Sequence, residues 1–86
     1  MFYVYVIKSE KDTSLYIGFT QDLRRRFSEH NNGLSKYTKH LIPFTLIYYE
    51  AYASEKDART REKRLKKSKN SYTELKKRII NSLDKT

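Results

Sequence analysis

The stretch LYIGFTQDLRRRFSEHNNG, residues 15–33, predicts a β-strand followed at once by an α-helix. The strand carries Tyr16 and ends near Gly18, while the helix begins around residues 20–22 and ends at the Asn-Asn-Gly of residues 31–33. Arg26 and His30 are four residues apart, so they share one face of that helix. A phenol, a guanidinium and an imidazole are therefore expected to converge from a strand end and the next helix.

These three side chains suit chemistry on a phosphodiester. Arginine can bind two phosphate oxygens at once, and tyrosine and histidine can move or orient protons. The spacing alone leaves a purely structural role open, with Tyr16 as a strand aromatic, Arg26 on a solvated helix face and His30 bound to helix-end carbonyls.

The segments on either side predict the rest of the sheet's first hairpin. Residues 2–7, FYVYVI, alternate as a strand, and the polar residues 8–14 form its loop. Pairing the aliphatic faces of the two strands puts Tyr5 and Tyr16 on the same side of the sheet. The first helix, from about residue 22 to 31, is expected to bury Leu23, Phe27 and Leu34.

The second half of the chain predicts one more strand and two helices. Residues 44–51, FTLIYYEA, are apolar at both alternating sets of positions, which favours a central strand covered on both faces. Ser54 with Asp57 forms a capping box for the second helix, and Ser71 with Glu74 forms another for the last. The order ββαβαα indicates a single α+β domain.

The composition favours an anionic partner. Nineteen Lys and Arg against ten Asp and Glu give a net charge of +9 on 86 residues, and nucleic acid is the leading candidate. Charge surrounds the basic helices instead of facing a broad apolar stripe, which argues against a membrane surface. Solubility alone is the other explanation of the charge.

Two absences in the sequence narrow the candidate classes further. The chain has no cysteine, which excludes disulfides, thiolate zinc sites and a cysteine nucleophile. The first residues resemble neither a signal peptide nor a membrane span, so a cytoplasmic location is expected.

Basic residues and one tyrosine mark the expected nucleic-acid contacts. Residues 56–78 hold eleven of the nineteen basic side chains, and the loop after residue 33 adds cations beside a tyrosine on which a base could stack. A solvated helical face, with Glu62 and Lys66 as an ordinary i,i+4 pair, is the alternative. The predicted contacts are Arg24, Arg25, Lys36, Tyr37, Lys39, Arg59, Lys63, Arg64, Lys66 and Lys67.

Tyr-Ile-Gly at residues 16–18, the Arg ten residues after that Tyr and the His four after the Arg resemble the second half of the signature of the GIY-YIG nucleases. Tyr3-Val4-Tyr5 stands where the Gly-Ile-Tyr half belongs. The likeness covers nearly the whole chain and is closest to the small single-domain branch, which resembles the N-terminal nuclease domain of the bacterial excinuclease C protein.

The resemblance implies a three-stranded antiparallel sheet flanked by helices, with Mg²⁺ or Mn²⁺ held by one glutamate. Tyr5 is expected as the base, Arg26 as the stabiliser of developing charge and His30 as an aid to proton transfer. Phe19 stands where relatives place a lysine, so any cation beside a tyrosine must come from elsewhere. The site implied by the family consists of Tyr5, Tyr16, Arg26, His30 and Glu62, with Asn70 nearest to a late family asparagine.

A single glutamate is chemically sufficient, because Mg²⁺ keeps several waters and accepts one carboxylate plus substrate oxygens. The scattered acids favour a scheme with one metal ion, or with none, over a scheme with two. The function expected is a metal-dependent endonuclease that hydrolyses DNA, structure-specific and active in repair or recombination. A non-catalytic nucleic-acid-binding module and an RNA-directed protein are the alternatives. A protein partner or a homodimer stays open as the means of placing a single site.

Overall fold

The structure is a computed structural model that describes residues 1–84. Its three strands are β1 (Phe2–Ser9), β2 (Leu15–Thr20) and β3 (Phe44–Tyr52). Its helices are α1 (Leu23–Asn31), α2 (Glu55–Lys67), α3 (Lys69–Arg78) and the short α4 (Ile80–Leu83), and a 3-10 turn covers Lys39–Leu41. The predicted α+β class with one three-stranded antiparallel sheet is confirmed.

The sheet has the strand order β2-β1-β3, so β1 is the central strand. The prediction that residues 44–51 form the central strand is wrong. Apolar residues at both alternating positions show that both faces of β3 are partly covered, which an edge strand also permits. In β1 the run from Val4 to Ile7 is fully buried, whereas Tyr49 on β3 is 52% exposed.

Two apolar cores lie on opposite faces of this sheet. On one face Val4 and Val6 pack with α2 and α3 through Ala58, Leu65 and Leu75. The other face carries Tyr5, Ile7 and Phe44, with Leu23 and Phe27 of α1 packed against them. The helices α1 and α2 therefore cover different faces.

The ends of α1 follow the predicted signals. Asp22 accepts a hydrogen bond from the Arg25 amide at 3.1 Å and so caps the first turn. Gly33, at φ +74°, adopts the left-handed conformation that ends the helix. Leu34 is 70% exposed, not part of the buried stripe, because the chain turns away from the sheet at Gly33.

The boundary between α2 and α3 lies earlier than predicted. Ser54 caps α2 by accepting from the Asp57 amide at 3.3 Å, as expected. For α3, however, Ser68 is the cap and accepts from the Ser71 amide at 3.2 Å. The predicted box at Ser71 is wrong because the amide of that residue already belongs to the first turn of α3. No helix among residues 1–84 has the length and apolarity required to span a bilayer.

Candidate active site

A buried chain of three polar side chains forms the centre of the site. The Tyr5 hydroxyl lies 2.8 Å from His30 Nε2, and His30 Nδ1 lies 2.8 Å from the Thr38 hydroxyl. All three side chains are at most 1% exposed. Burial, reinforced by the positive charge of Arg26, lowers the pKa of His30 to about 4. The imidazole is therefore neutral near pH 7, with one ring nitrogen donating and the other accepting.

Tyr5 reaches this position by lying across Gly18. The two residues are opposite each other in the β1–β2 register, and a Cβ at Gly18 would overlap the Tyr5 ring. The glycine of Tyr-Ile-Gly is thus required for close packing. Burial, with a smaller contribution from Tyr16, raises the pKa of Tyr5 to about 12, although Arg26 acts in the opposite direction.

Tyr16 and Arg26 form the more accessible part of the site. The Tyr16 ring centroid lies 5.1 Å from that of His30 and 6.4 Å from that of Tyr5, so the two tyrosines share a face as predicted. Arg26 Nη1 donates to Glu29 Oε1 at 3.0 Å and keeps about a third of its side chain exposed. Burial opposes the charge, but the Glu29 hydrogen bond and the nearby Tyr5 raise the pKa of Arg26.

Glu62 approaches this group from α2, past the edge of β2. Its Oε2 pairs with Lys66 Nζ at 3.0 Å, and that ammonium lies 5.7 Å from the Tyr16 ring centroid. The negative charge of Glu62 also contributes to the raised pKa of Tyr5, after burial and Tyr16. Lys66 is thus the cation beside Tyr16. It takes the place of the lysine that relatives carry where this chain has Phe19. Phe19 instead stacks on Phe2 in the opposite core.

The donor set at this edge fits a hard divalent ion. Residues 1–84 hold no group of three or more His, Cys, Asp or Glu side chains able to enclose a metal. Glu62 is the carboxylate whose charge acts on Tyr5, its side chain is 20% exposed, and its ion pair uses one oxygen. One carboxylate, waters and phosphate oxygens are what Mg²⁺ accepts.

The structure brings together Tyr5, Tyr16, Arg26, His30 and Glu62, but it does not add Asn70. Asn70 is exposed and lines a separate groove with Arg61 and Arg78. The ten predicted nucleic-acid contacts are all exposed side chains. Arg25 and Arg59 line one groove between the N-termini of α1 and α2, and Lys36 lies over the Tyr37 ring at 5.3 Å.

Two contributors to the site were not anticipated from the sequence. Thr38 lies in a loop and has no periodic pattern to mark it, yet it fixes the orientation of the His30 ring. Glu29 holds Arg26, and its position three residues after that arginine is the signal that could have revealed the pair.

A three-stranded antiparallel sheet flanked by helices is the fold that the resemblance to the GIY-YIG nucleases implies. The model of the GIY-YIG catalytic domain matches residues 1–78, and the chain belongs to this family.

The similar proteins are small members of that family. The chain is 44% identical over 68 residues to a UPF0213 protein of Clostridium perfringens, covering 78% of this chain and 72% of that one. It is also 44% identical over 68 residues to a UPF0213 protein of Streptococcus pneumoniae, covering 78% and 68%. The solution structure of a UPF0213 protein from Bacillus halodurans has 35% identity and a TM-score of 0.54, covering 87% of this chain and 82% of that one.

Proposed function

We propose that this protein is a metal-dependent endonuclease that hydrolyses DNA phosphodiester bonds. The observation that carries this proposal is the convergence of the accessible Tyr16, Arg26 and Glu62 around the buried Tyr5–His30 pair. The net charge of +9 supports a polyanionic substrate. Structure-specific cutting, a role in repair or recombination and a cytoplasmic location belong to the same proposal.

Each accessible residue has a distinct task in this reaction. Glu62 would hold Mg²⁺ or Mn²⁺, and such an ion supplies positive charge to the phosphate oxygens in the transition state. Arg26, fixed by Glu29, binds a non-bridging phosphate oxygen and stabilises the charge that develops there. Lys66 neutralises Glu62 until substrate arrives.

Tyr16 is better placed than Tyr5 to contact the attacking water. Tyr5 is 1% exposed and its hydroxyl already contacts His30. Burial raises the pKa of Tyr5 and lowers the pKa of His30, so both groups favour their neutral forms and the phenol keeps its proton. We therefore assign water orientation to Tyr16 and give the Tyr5–His30 pair the role of positioning the site.

The same burial supports the second candidate, a nucleic-acid-binding module without catalysis. Tyr5, His30 and Thr38 satisfy one another's hydrogen bonds, which is also how a purely structural cluster behaves. RNA binding is a further outcome to test, because phosphate contacts alone do not distinguish it from DNA.

Cleavage of a labelled panel of single-stranded, duplex, flapped and branched DNA, with an RNA control, tests the proposal. Each reaction is run with Mg²⁺, with Mn²⁺ and with EDTA. We expect EDTA to stop cutting, and Glu62→Ala and Tyr16→Phe each to lower the rate about a hundredfold or more while DNA binding persists. Glu74→Ala, at a carboxylate 74% exposed on α3, is the matched control and should cut normally.

If wild type binds but cuts no member of the panel, the binding module replaces the nuclease. If Glu74→Ala loses as much activity as Glu62→Ala, the glutamate at the β2 edge has no special role.

A further inference from the structure

A second surface on the α1 side of the sheet has no part in the proposed reaction. It is a groove of about 540 Å³ between α1 and the strands β1 and β3. Leu23, Phe27 and Leu46 form its apolar floor, and Tyr3 and Tyr49 form one wall. A groove with an apolar floor and one aromatic wall can accept a flat ring.

The wall of this groove exposes an oriented aromatic ring. The ring centroids of Tyr3 and Tyr49 lie 5.9 Å apart with 65° between their planes. This edge-to-face contact holds the Tyr49 ring in place, and the residue remains 52% exposed. A nucleobase can stack on such a ring without first ordering it.

The rim of the groove carries groups that match a nucleotide. Gln21, Asp22 and Arg24 line it. Asp22 is already occupied by the Arg25 amide, whereas Arg24 is exposed and makes no ion pair within residues 1–84. A guanidinium beside an aromatic wall complements a phosphate joined to a base.

The groove adjoins the candidate active site. Tyr49 and Gly18 are the partners of Tyr5 on β3 and β2 respectively, so the three residues form one row across the sheet. Neighbouring strands are about 5 Å apart, which puts the Tyr49 backbone about 10 Å from the β2 edge. A base in the groove and a phosphate at the β2 edge are therefore near enough to belong to the same DNA strand.

We propose that this groove binds one unpaired nucleobase of the DNA substrate, stacked on Tyr49, with the adjoining phosphate directed toward Arg24. The inference rests on the proposed function and defines its substrate class. A base inside a duplex is already paired and stacked, so the groove selects DNA with an unpaired nucleotide in the strand that is cut.

Binding and cleavage measured separately test this selection. Fluorescence anisotropy is recorded for a flapped duplex and a blunt duplex of matched sequence, in a Glu62→Gln background that prevents cutting. Adding Tyr49→Ala is expected to weaken binding of the flapped duplex by about five- to hundredfold and to leave the blunt duplex unchanged. Tyr49→Phe, which keeps the ring, should bind both as the parent does.

A 2-aminopurine at the unpaired position gives a direct signal of stacking. Its fluorescence should be quenched by the parent and by Tyr49→Phe and restored in Tyr49→Ala. Equal losses on flapped and blunt DNA, or no loss on either, would overturn the stacking site. If binding depends on Tyr49 but the wild type cuts no DNA, only the nuclease proposal is overturned. If the wild type cuts DNA and neither binding nor cutting depends on Tyr49, only the stacking site is overturned.

Discussion

Glu50 on β3 and Glu62 on α2 each belong to a group with two tyrosines and an arginine, yet the two groups have opposite character. Glu50 accepts from the Tyr48 hydroxyl at 2.6 Å, from the Tyr52 hydroxyl, and from Arg61 through Nε at 2.9 Å and Nη2 at 3.0 Å. Glu62 pairs with Lys66 on its own helix and stands near tyrosines that it does not bind. We call the hydrogen-bonded group around Glu50 the closed cluster. The group around Glu62, with Tyr5, Tyr16 and Arg26, is the open cluster.

The difference separates a carboxylate whose acceptor positions are filled from one that keeps positions open for a ligand. A carboxylate has about four acceptor positions, and Glu50 has them filled by side chains from β3 and α2. That cluster holds α2 against the sheet and has no capacity for a ligand. Glu62 keeps capacity for a metal ion or a phosphate-bound water, because its lysine partner is 46% exposed and easily displaced.

The largest expected contrast comes from replacing each glutamate by glutamine. Glu62→Gln should lower the cleavage rate about a hundredfold or more and change the free energy of unfolding by less than about 0.5 kcal/mol. Glu50→Gln should lower that free energy by about 2 kcal/mol, because one acceptor oxygen becomes an amide donor that faces other donors, and Arg61 loses its opposite charge.

Urea unfolding and cleavage rates of both variants check this contrast. For an 86-residue domain, a loss of 2 kcal/mol corresponds to a fall in Tm of about 8–16 °C. At a temperature where Glu50→Gln is folded, its cleavage should equal that of wild type. A Glu50 variant that is stable and inactive would reverse the assignment of the two clusters.

The pH dependence of stability should separate the clusters a second time. Burial lowers the pKa of His30 from 6.5 to about 4, so the unfolded chain binds a proton there at higher pH than the folded one. Stability should therefore be complete above about pH 6.5 and fall by about 3 kcal/mol as the pH drops to about 4.

Glu50 titrates in a lower window, which makes Glu50→Gln the control. Burial acts to raise the pKa of Glu50, but hydrogen bonds from Arg61 and the two tyrosines outweigh it and lower the pKa. Its contribution is present above about 4.5 and is lost as the pH falls through the depressed pKa. Glu50→Gln should keep the decline between pH 6.5 and about 4 that His30 causes, and should lose the further decline below pH 4.5 that Glu50 contributes, as measured by urea unfolding. A decline above pH 4.5 that vanishes in this variant would contradict the assignment to His30.

The open cluster could be predicted from sequence because it depends on spacing. A strand with Tyr16 and a helix with Arg26 and His30 are local patterns, and the fold assembles them. The likeness to GIY-YIG nucleases supplied Tyr5 and Glu62. The patterns did not reveal how deeply each side chain is buried. Only the packing shows that Tyr5 and His30 are buried while Tyr16 is accessible.

The closed cluster could not be predicted, because it depends on the sheet order. Once β3 is at the edge with Glu50 opposite Val4, that carboxylate faces α2, where Arg61 meets it eleven residues later in the chain. Neighbouring positions on a helix point about 100° apart, so Arg61 and Glu62 serve different clusters. No local pattern at Glu50 indicates which face of the sheet will be covered.

The smallest expected effect compares the same substitution at one tyrosine of each cluster. Tyr52→Phe removes a hydroxyl that donates to a partly buried carboxylate and should lower the free energy of unfolding by about 1 kcal/mol. The hydroxyl of Tyr16 makes no hydrogen bond within residues 1–84, so Tyr16→Phe should leave the free energy of unfolding unchanged. Urea unfolding of the two variants under identical conditions resolves a difference of this size.

Both substitutions keep the aromatic ring, so neither variant leaves a cavity. A difference in their free energy of unfolding therefore reports the hydroxyl alone. If Tyr16→Phe destabilised the protein as much as Tyr52→Phe, the Tyr16 hydroxyl would have a structural partner, and its loss of activity would follow from a rearranged site. If Tyr16→Phe is fully stable and inactive while Tyr52→Phe is weakened and active, the hydroxyl at the β2 edge acts on the substrate and the one beside Glu50 acts on the fold.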